Sequence, residues 1–426
     1  MKIKTRIQNG LRTASRVVHL DLRYYLSGSF WLTSAHVISI LLSLTLSVLF
    51  ARLASQTLYG QYRFALSFFS LLSILTLPGL NLAIIRSIAK GSDEAFIHGT
   101  RTKFKFSCLA AIPLLGMAWY FLFFKESSLG WAFVIAAFLF PPTYGFPTSA
   151  YFTGKKRFRD NGVFLVVQRG FMVFLVGLTL IVTYNIVLVI FAYLLAQAIL
   201  NLFMYQRIRN SISYRELRGD RHSQDLSQRD LIRYGQHLTA MQTISMVAGE
   251  LDKLLLAYFL DFQHVAIYAI ATTIPEAVKG IFKQIPSLVL PRLANTPKDK
   301  VYFKIRTKVF HLFLLGIFLA VGLWIILPYL LPLVYTSKYA EAIFPAQILA
   351  LSLIFVPLIQ TLRSALVSHQ ATRQLYMFYT ILPVIHILLL ISLIPLWGVT
   401  GATLSLLLFR TLQAGYLYFA VRRMGS

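Results

Sequence analysis

The chain has 426 residues, of which 57% are hydrophobic and only 13% charged. A soluble protein of this size carries about a quarter charged residues, so that class is excluded and most of the surface must meet lipid or other helices. The net charge of +26 does not point to nucleic acid: most basic residues fall in short loops between apolar runs, where they set topology and contact anionic membrane lipids.

The first 29 residues carry a basic lead, from Lys2 to Arg23, ahead of an apolar run that starts at Phe30. A cleavable signal would have a shorter lead and a small-residue cleavage site. Residues 1–29 therefore read as a cytoplasmic amphipathic segment before a retained span. A crossing needs roughly 20 apolar residues, and about twelve candidates follow. Those of the first half lie near 30–50, 64–88, 106–124, 131–152, 163–183 and 186–205. Those of the second half lie near 238–260, 266–290, 310–335, 342–366, 375–396 and 400–421.

The loops between them alternate. Every second connection is basic: Arg86, Lys90, Arg101, Lys103 and Lys105; then Lys155 to Arg159; then the long linker 207–236; then Arg292 to Lys308; then Arg363 with Arg373; and last the tail 422–426 with Arg422 and Arg423. The other connections hold only Arg52, Arg63, Lys125 and Lys338. Lys and Arg stay on the cytoplasmic side, so this pattern predicts both termini in the cytoplasm. The outer loops are short, leaving no room for a periplasmic domain.

The linker 207–236 divides the chain into an N-lobe over 30–206 and a C-lobe over 237–421. The halves look related. Tyr62 and Tyr268, Ala65 and Ala271, and Arg86 and Arg292 are all the same number of positions apart. The fold class predicted is all-α and integral to the membrane, with two six-helix lobes forming an internal repeat. Halves of even span number share one orientation, the arrangement that alternating access about a central site requires.

A charge inside hydrocarbon costs at least ~2.5–3.5 kcal/mol on insertion scales and so faces a cavity or a partner. The fifth span carries Arg169, the seventh Glu250, Asp252 and Lys253, the eighth Glu276, Lys279 and Lys283, and the twelfth Arg410. Lys253, Lys279, Lys283, Arg410, Arg169 and, at the end of the second span, Arg86 are candidates for a cationic cavity that attracts pyrophosphate or acidic sugars. Glu250, Asp252 and Glu276 are candidates for exchanging protons or binding a coupling cation. Plainer roles stand beside these. Lys283 and Arg169 could snorkel to the interface, Arg86 could anchor it, Glu250 and Lys253 could form a structural pair, and Asp252 could lie at the outer surface.

Prolines recur inside spans, at Pro78, Pro141, Pro142, Pro147, Pro275, Pro286, Pro328, Pro332 and Pro357, where a lost backbone donor permits bending. The single cysteine, Cys108, lies in an apolar run and is expected to be buried; it excludes a disulfide framework and a cysteine metal site. The nine His are scattered, so no metal is expected. No Walker-type loop is present, so transport would draw on an ion gradient (H+ or Na+), a substrate gradient or a partner, with no cofactor.

Three stretches resemble the polysaccharide flippases, the O-antigen or Wzx-type branch of the multidrug/oligosaccharidyl-lipid/polysaccharide exporter superfamily. The first runs from Leu58-Tyr59-Gly60-Gln61-Tyr62 through Leu77-Pro78-Gly79-Leu80 to Arg86-Ser87-Ile88-Ala89-Lys90-Gly91. The second is Leu251-Asp252-Lys253-Leu254-Leu255-Leu256 with Val265-Ala266-Ile267-Tyr268-Ala269, and the third Leu331-Pro332-Leu333-Val334-Tyr335-Thr336-Ser337-Lys338-Tyr339-Ala340. The resemblance implies two lobes around a V-shaped central cavity, and transport of undecaprenyl-pyrophosphate-linked oligosaccharide to the outer leaflet of a bacterial inner membrane. It implies a polysaccharide polymerase and a chain-length regulator as partners, and it puts Asp252 at the family's acidic position in the seventh span. A lipid-linked peptidoglycan precursor flippase and an ion-coupled drug antiporter are the alternatives within the superfamily. A membrane glycan polymerase or glycosyltransferase is the alternative outside it. An enzyme of that kind would need a sizeable outer loop, so a non-catalytic transporter is the leading expectation.

Overall fold

The computed structural model describes residues 22–217, 228–282, 298–369 and 371–423. Among these the structure is helical throughout, with no strand. Among the described residues nine helices are long and apolar enough to cross a membrane, and a tenth crossing is a bent pair, Gln56–Thr76 with Leu80–Ala89, that turns by 54°. The bend falls at Leu77-Pro78-Gly79, where Leu77 takes a positive φ of 55°.

Two more crossings complete the predicted set. The helix Thr372–Arg422 is a hairpin of two spans, merged across Gly398, whose φ of 55° and ψ of −129° are not helical. Only glycine takes such a backbone cheaply. Tyr416 Oη donates to the Gln374 carbonyl at 3.0 Å, tying the far ends of the hairpin together. The seventh crossing is broken, with Gln228–Ala248 and Leu251–Phe259 meeting at Gly249 and Glu250. Its three charges disguise it on hydropathy grounds, and they stand where its axis breaks.

The predicted second span started too late: its helix starts at Gln56, where Ser55 caps it by accepting from the Leu58 amide. Arg63 therefore lies within a helix and not in the outer connection to which its charge had been assigned. Lys103 likewise lies within the helix Glu94–Cys108, where it is 3% exposed and donates to Asn81 Oδ1 at 2.9 Å. Cys108 is exposed, not buried as expected, because it lies on the outward face at the end of its helix.

The buried side chains form one core at one end of the molecule and two at the other. The shared core joins Phe50, Tyr59 and Tyr62 of the first half to Tyr268, Leu331, Tyr335 and Ala346 of the second. At the opposite end Leu80, Ile84, Phe96 and Tyr151 cluster apart from Leu362, Leu366, Phe378 and Leu417. Two lobes that share a core at one end and diverge at the other enclose a V-shaped space.

The joined end is latched by polar contacts. Arg52 donates to the carbonyls of Val334 at 3.2 Å and Leu333 at 3.1 Å, and Gln56 Nε2 donates to that of Lys338 at 2.7 Å. Beside them the second and eighth spans cross with no room to spare: a Cβ on Gly60 would lie 1.7 Å from the Phe262 carbonyl oxygen. At the diverging end the start of the seventh span rests on the first lobe, where the Gly79 amide donates to Thr239 Oγ1 at 3.0 Å and Leu231 is buried against that lobe's core.

Candidate functional site: a charged cavity between the lobes

Between the lobes lies a cavity of about 690 Å³. The first span gives it one polar face, because His36, Ser39, Ser43 and Ser47 recur at helical spacing and all line it. Arg63 and Arg169 add the other N-lobe charges. The C-lobe supplies the rest: Glu250, Asp252 and Lys253 from the broken seventh span, Tyr268, Glu276 and Lys279 from the eighth, Gln360 and Arg363 from the tenth, His386 from the eleventh and Arg410 from the twelfth.

Two ionic clusters organise this lining. In the first, the break after Ala248 brings both acids onto Lys253. Its Nζ donates to Glu250 Oε2 at 3.1 Å and Asp252 Oδ1 at 3.3 Å. Tyr268 donates to the other Asp252 oxygen at 2.7 Å, and Ser70 of the first lobe donates to Glu250 Oε1 at 3.0 Å. Asp252 thus reaches inward and does not sit at an outer surface.

In the second cluster Glu276 is the hub. Lys279 Nζ donates to both its oxygens at 2.7 Å, and Arg410 Nη2 donates to Oε1 at 2.7 Å. Arg410 also donates through Nη1 to Ser352 Oγ at 2.7 Å. Its side chain is 6% exposed, whereas that of Glu276 is 42% exposed. The arginine is fixed within the lobe, and the carboxylate faces the cavity.

The cations are in excess. Among the described residues, Arg63, Arg169, Lys253, Lys279, Arg363 and Arg410 line the cavity against Glu250, Asp252 and Glu276. The acids hold Lys253, Lys279 and Arg410. Arg363 donates to Gln360 Oε1 at 2.8 Å. Arg63 and Arg169 have no acid within ion-pair distance among the described residues, and such arginines are suited to a bidentate grip on an oxyanion.

Seven of the sequence candidates therefore meet in one space: Arg169, Glu250, Asp252, Lys253, Glu276, Lys279 and Arg410. Arg86 does not join them. It is exposed beyond the bend in the second span, with its guanidinium 5.9 Å from the centre of the Tyr234 ring. Lys283 lies outside the described residues. Sequence reasoning missed Arg63, Arg363, His36, Gln360 and His386. The Ser55 cap was a usable signal for Arg63, since it places the residue in the second turn of a helix. Arg363 was read as a marker of a cytoplasmic connection, but it lies inside the helix Val356–Ser368 and lines the cavity; His36, Gln360 and His386 are neutral residues in apolar runs, and only packing brings them to the cavity.

The family model described as "Polysaccharide biosynthesis protein" matches residues 25–296, more than half of the chain. The chain belongs to the polysaccharide biosynthesis protein family. No curated protein matches it in sequence. Solved structures share its fold over nearly the whole length. An inward-facing multidrug resistance MATE family transporter of the MOP superfamily is 12% identical, with a TM-score of 0.67 over 91% of this chain and 94% of that one. The lipid II flippase MurJ, in an inward closed conformation, is 16% identical, with a TM-score of 0.59 over 93% and 87%. A MOP superfamily transporter from Pyrococcus furiosus, described as having a binding pocket of reverse polarity, is 11% identical, with a TM-score of 0.57 over 93% and 95%. The resemblance to polysaccharide flippases drawn from the sequence is thus met by the family match and by the fold.

Proposed function

We propose that this chain is a flippase that carries undecaprenyl-pyrophosphate-linked oligosaccharide across a bacterial inner membrane by alternating access, for assembly of a surface polysaccharide such as O-antigen, capsule or exopolysaccharide. The observation that carries the reading is the excess of cations in a cavity between two lobes, with Arg63 and Arg169 uncommitted to any described acid. A pyrophosphate brings the negative charge that this lining lacks, while its polyprenyl tail remains in the bilayer. The loop charges put both termini in the cytoplasm. On that orientation the latched end, at Arg52 and Gln56, faces the periplasm and the cavity is in its cytoplasm-facing state.

Glu276, Glu250 and Asp252 are the groups to which H+ or Na+ coupling would be assigned. Membrane lipids, a polysaccharide polymerase and a chain-length regulator are the expected partners. A drug antiporter for cationic compounds fits less well, since the three acids are already committed to Lys253, Lys279 and Arg410. The test is the sidedness of the lipid-linked glycan in spheroplasts with and without the chain, read with a membrane-impermeant lectin. Glycan trapped inside on loss of the chain supports the proposal. Glycan that reaches the outer leaflet but stays as single repeats supports a polymerase instead.

A further inference from the structure

We propose that the wall of the cavity built by the tenth, eleventh and twelfth spans is a sugar-recognition subsite, with His386 as a specificity-determining contact. This inference rests on the flippase reading and adds where the glycan, as opposed to the phosphate, is held.

His386 is 4% exposed, lines the cavity, and its Nε2 has no hydrogen-bond partner among the described residues. Buried polar atoms are nearly always partnered, so an unpartnered one on a residue that lines the cavity is set for a group that arrives with the substrate. The imidazole lies flat on Phe409, with ring centres 4.3 Å apart and planes 8° from parallel. Packing of this kind fixes its orientation, so binding through it costs little rotamer freedom.

The surroundings repeat the pattern. Gln360 accepts from Arg363 through its oxygen, and among the described residues its amide nitrogen has no acceptor. Gln413 and the Tyr379 hydroxyl also line the cavity and make no hydrogen bond to a described residue. These groups are neutral, and amides and hydroxyls both donate and accept. An acyl chain would call for a dry apolar wall, and the cations of this wall are already engaged, Arg363 with Gln360 and Arg410 with Ser352 and Glu276. Sugar hydroxyl and acetamido groups offer both donors and acceptors, while an aromatic ring such as that of Tyr379, which lines the cavity, suits the C–H face of a pyranose. The uncommitted cations, Arg63 and Arg169, belong to the other lobe. The pyrophosphate and the first sugars would thus be held by opposite walls.

The test uses the purified full chain and two probes: undecaprenyl pyrophosphate bare of sugar, and the same lipid bearing one N-acetylglucosamine. The quantity read is the ratio of the two affinities. The sugar-bearing lipid is expected to bind more tightly, and His386→Ala to cut that ratio about tenfold, the worth of one well-made hydrogen bond in a dry site. Gln413→Ala carries the same expectation and serves if His386→Ala does not fold. Arg169→Ala weakens both lipids and leaves the ratio in place. A wild-type chain that holds both lipids alike, or folded His386→Ala and Gln413→Ala variants that keep the ratio, overturns the subsite but leaves the flippase reading standing. A chain that binds neither lipid removes that reading and the subsite with it.

Discussion

Arg410 reaches from the twelfth span to donate to Glu276 on the eighth at 2.7 Å, and a second hydrogen bond to Ser352 holds it from behind. Replacing Arg410 by Ala leaves Ser352 and Glu276 without this donor at a largely buried position. The expected cost is about 1.5–3 kcal/mol, as for hydrogen bonds to charged groups. It would be read as a lower thermal-unfolding midpoint of the purified chain. Glu276→Gln keeps an acceptor for Arg410 and should cost less stability, yet it should cut glycan translocation at least tenfold if the carboxylate is the coupling group.

The crossing at Gly60 permits no side chain. A Cβ would lie 1.7 Å from a backbone oxygen of Phe262, and backbone cannot swing aside as a flexible side chain does. Gly60→Ala should fail to accumulate as a folded monomer in size-exclusion profiles. Gly116→Ala, with nothing within 4 Å of the added carbon, should be indistinguishable from the parent.

The latch can be opened or locked. Arg52→Ala removes two hydrogen bonds to the Leu333 and Val334 carbonyls and should shift the population toward the state open at that end. In a Cys108→Ser background, a cysteine in place of Ser47 should then react faster with an impermeant maleimide added outside. Conversely, cross-linking cysteines placed at Gln56 and Lys338 should stop translocation, and reduction should restore it. Transport that persists in the cross-linked chain would rule out opening at this end.

Asp261 precedes the eighth span and accepts from the His264 amide at 2.9 Å and its ring at 2.8 Å. Partial burial pushes its carboxyl up, but the hydrogen bonds from His264 and the Gln263 amide outweigh that and hold it below the usual carboxylate range. A lowered acid stabilises the fold at pH above its unfolded value, and the contribution fades as pH falls through the folded one. Asp261→Ala should therefore cost about 1 kcal/mol at neutral pH, as an N-cap does, and nothing in strong acid. A pH series of unfolding midpoints for both chains should converge at low pH.

Much of this architecture was legible in the residues. The span count and the two halves follow from apolar runs and alternating loop charge, since burial of backbone in lipid leaves helices as the local solution. Seven cavity charges were legible because a charge in hydrocarbon must have a reason to be there. The cost of misplacing a helix start shows at Arg63, which looked like a loop residue until Ser55 capped the helix ahead of it. Arg86 misled for the opposite reason: the turn at Leu77-Pro78-Gly79 sends its helix off the axis of the first segment. His386 and Gln360 carry no mark in the sequence, because a neutral polar residue in an apolar run becomes informative only when its partners are known.

The second and eighth spans, which cross at Gly60 and Phe262, hold corresponding places in the two halves of the chain. When equivalent helices pack on each other, the contact is isologous, as at the interface of a twofold dimer. Each half therefore treats the other as a second subunit that happens to be covalently attached. The two sides of this seam differ in charge: Glu250, Asp252 and Glu276 all lie in the second half, while the position that stands to Glu276 as Tyr62 stands to Tyr268 is Ser70, a donor that binds Glu250 across the seam.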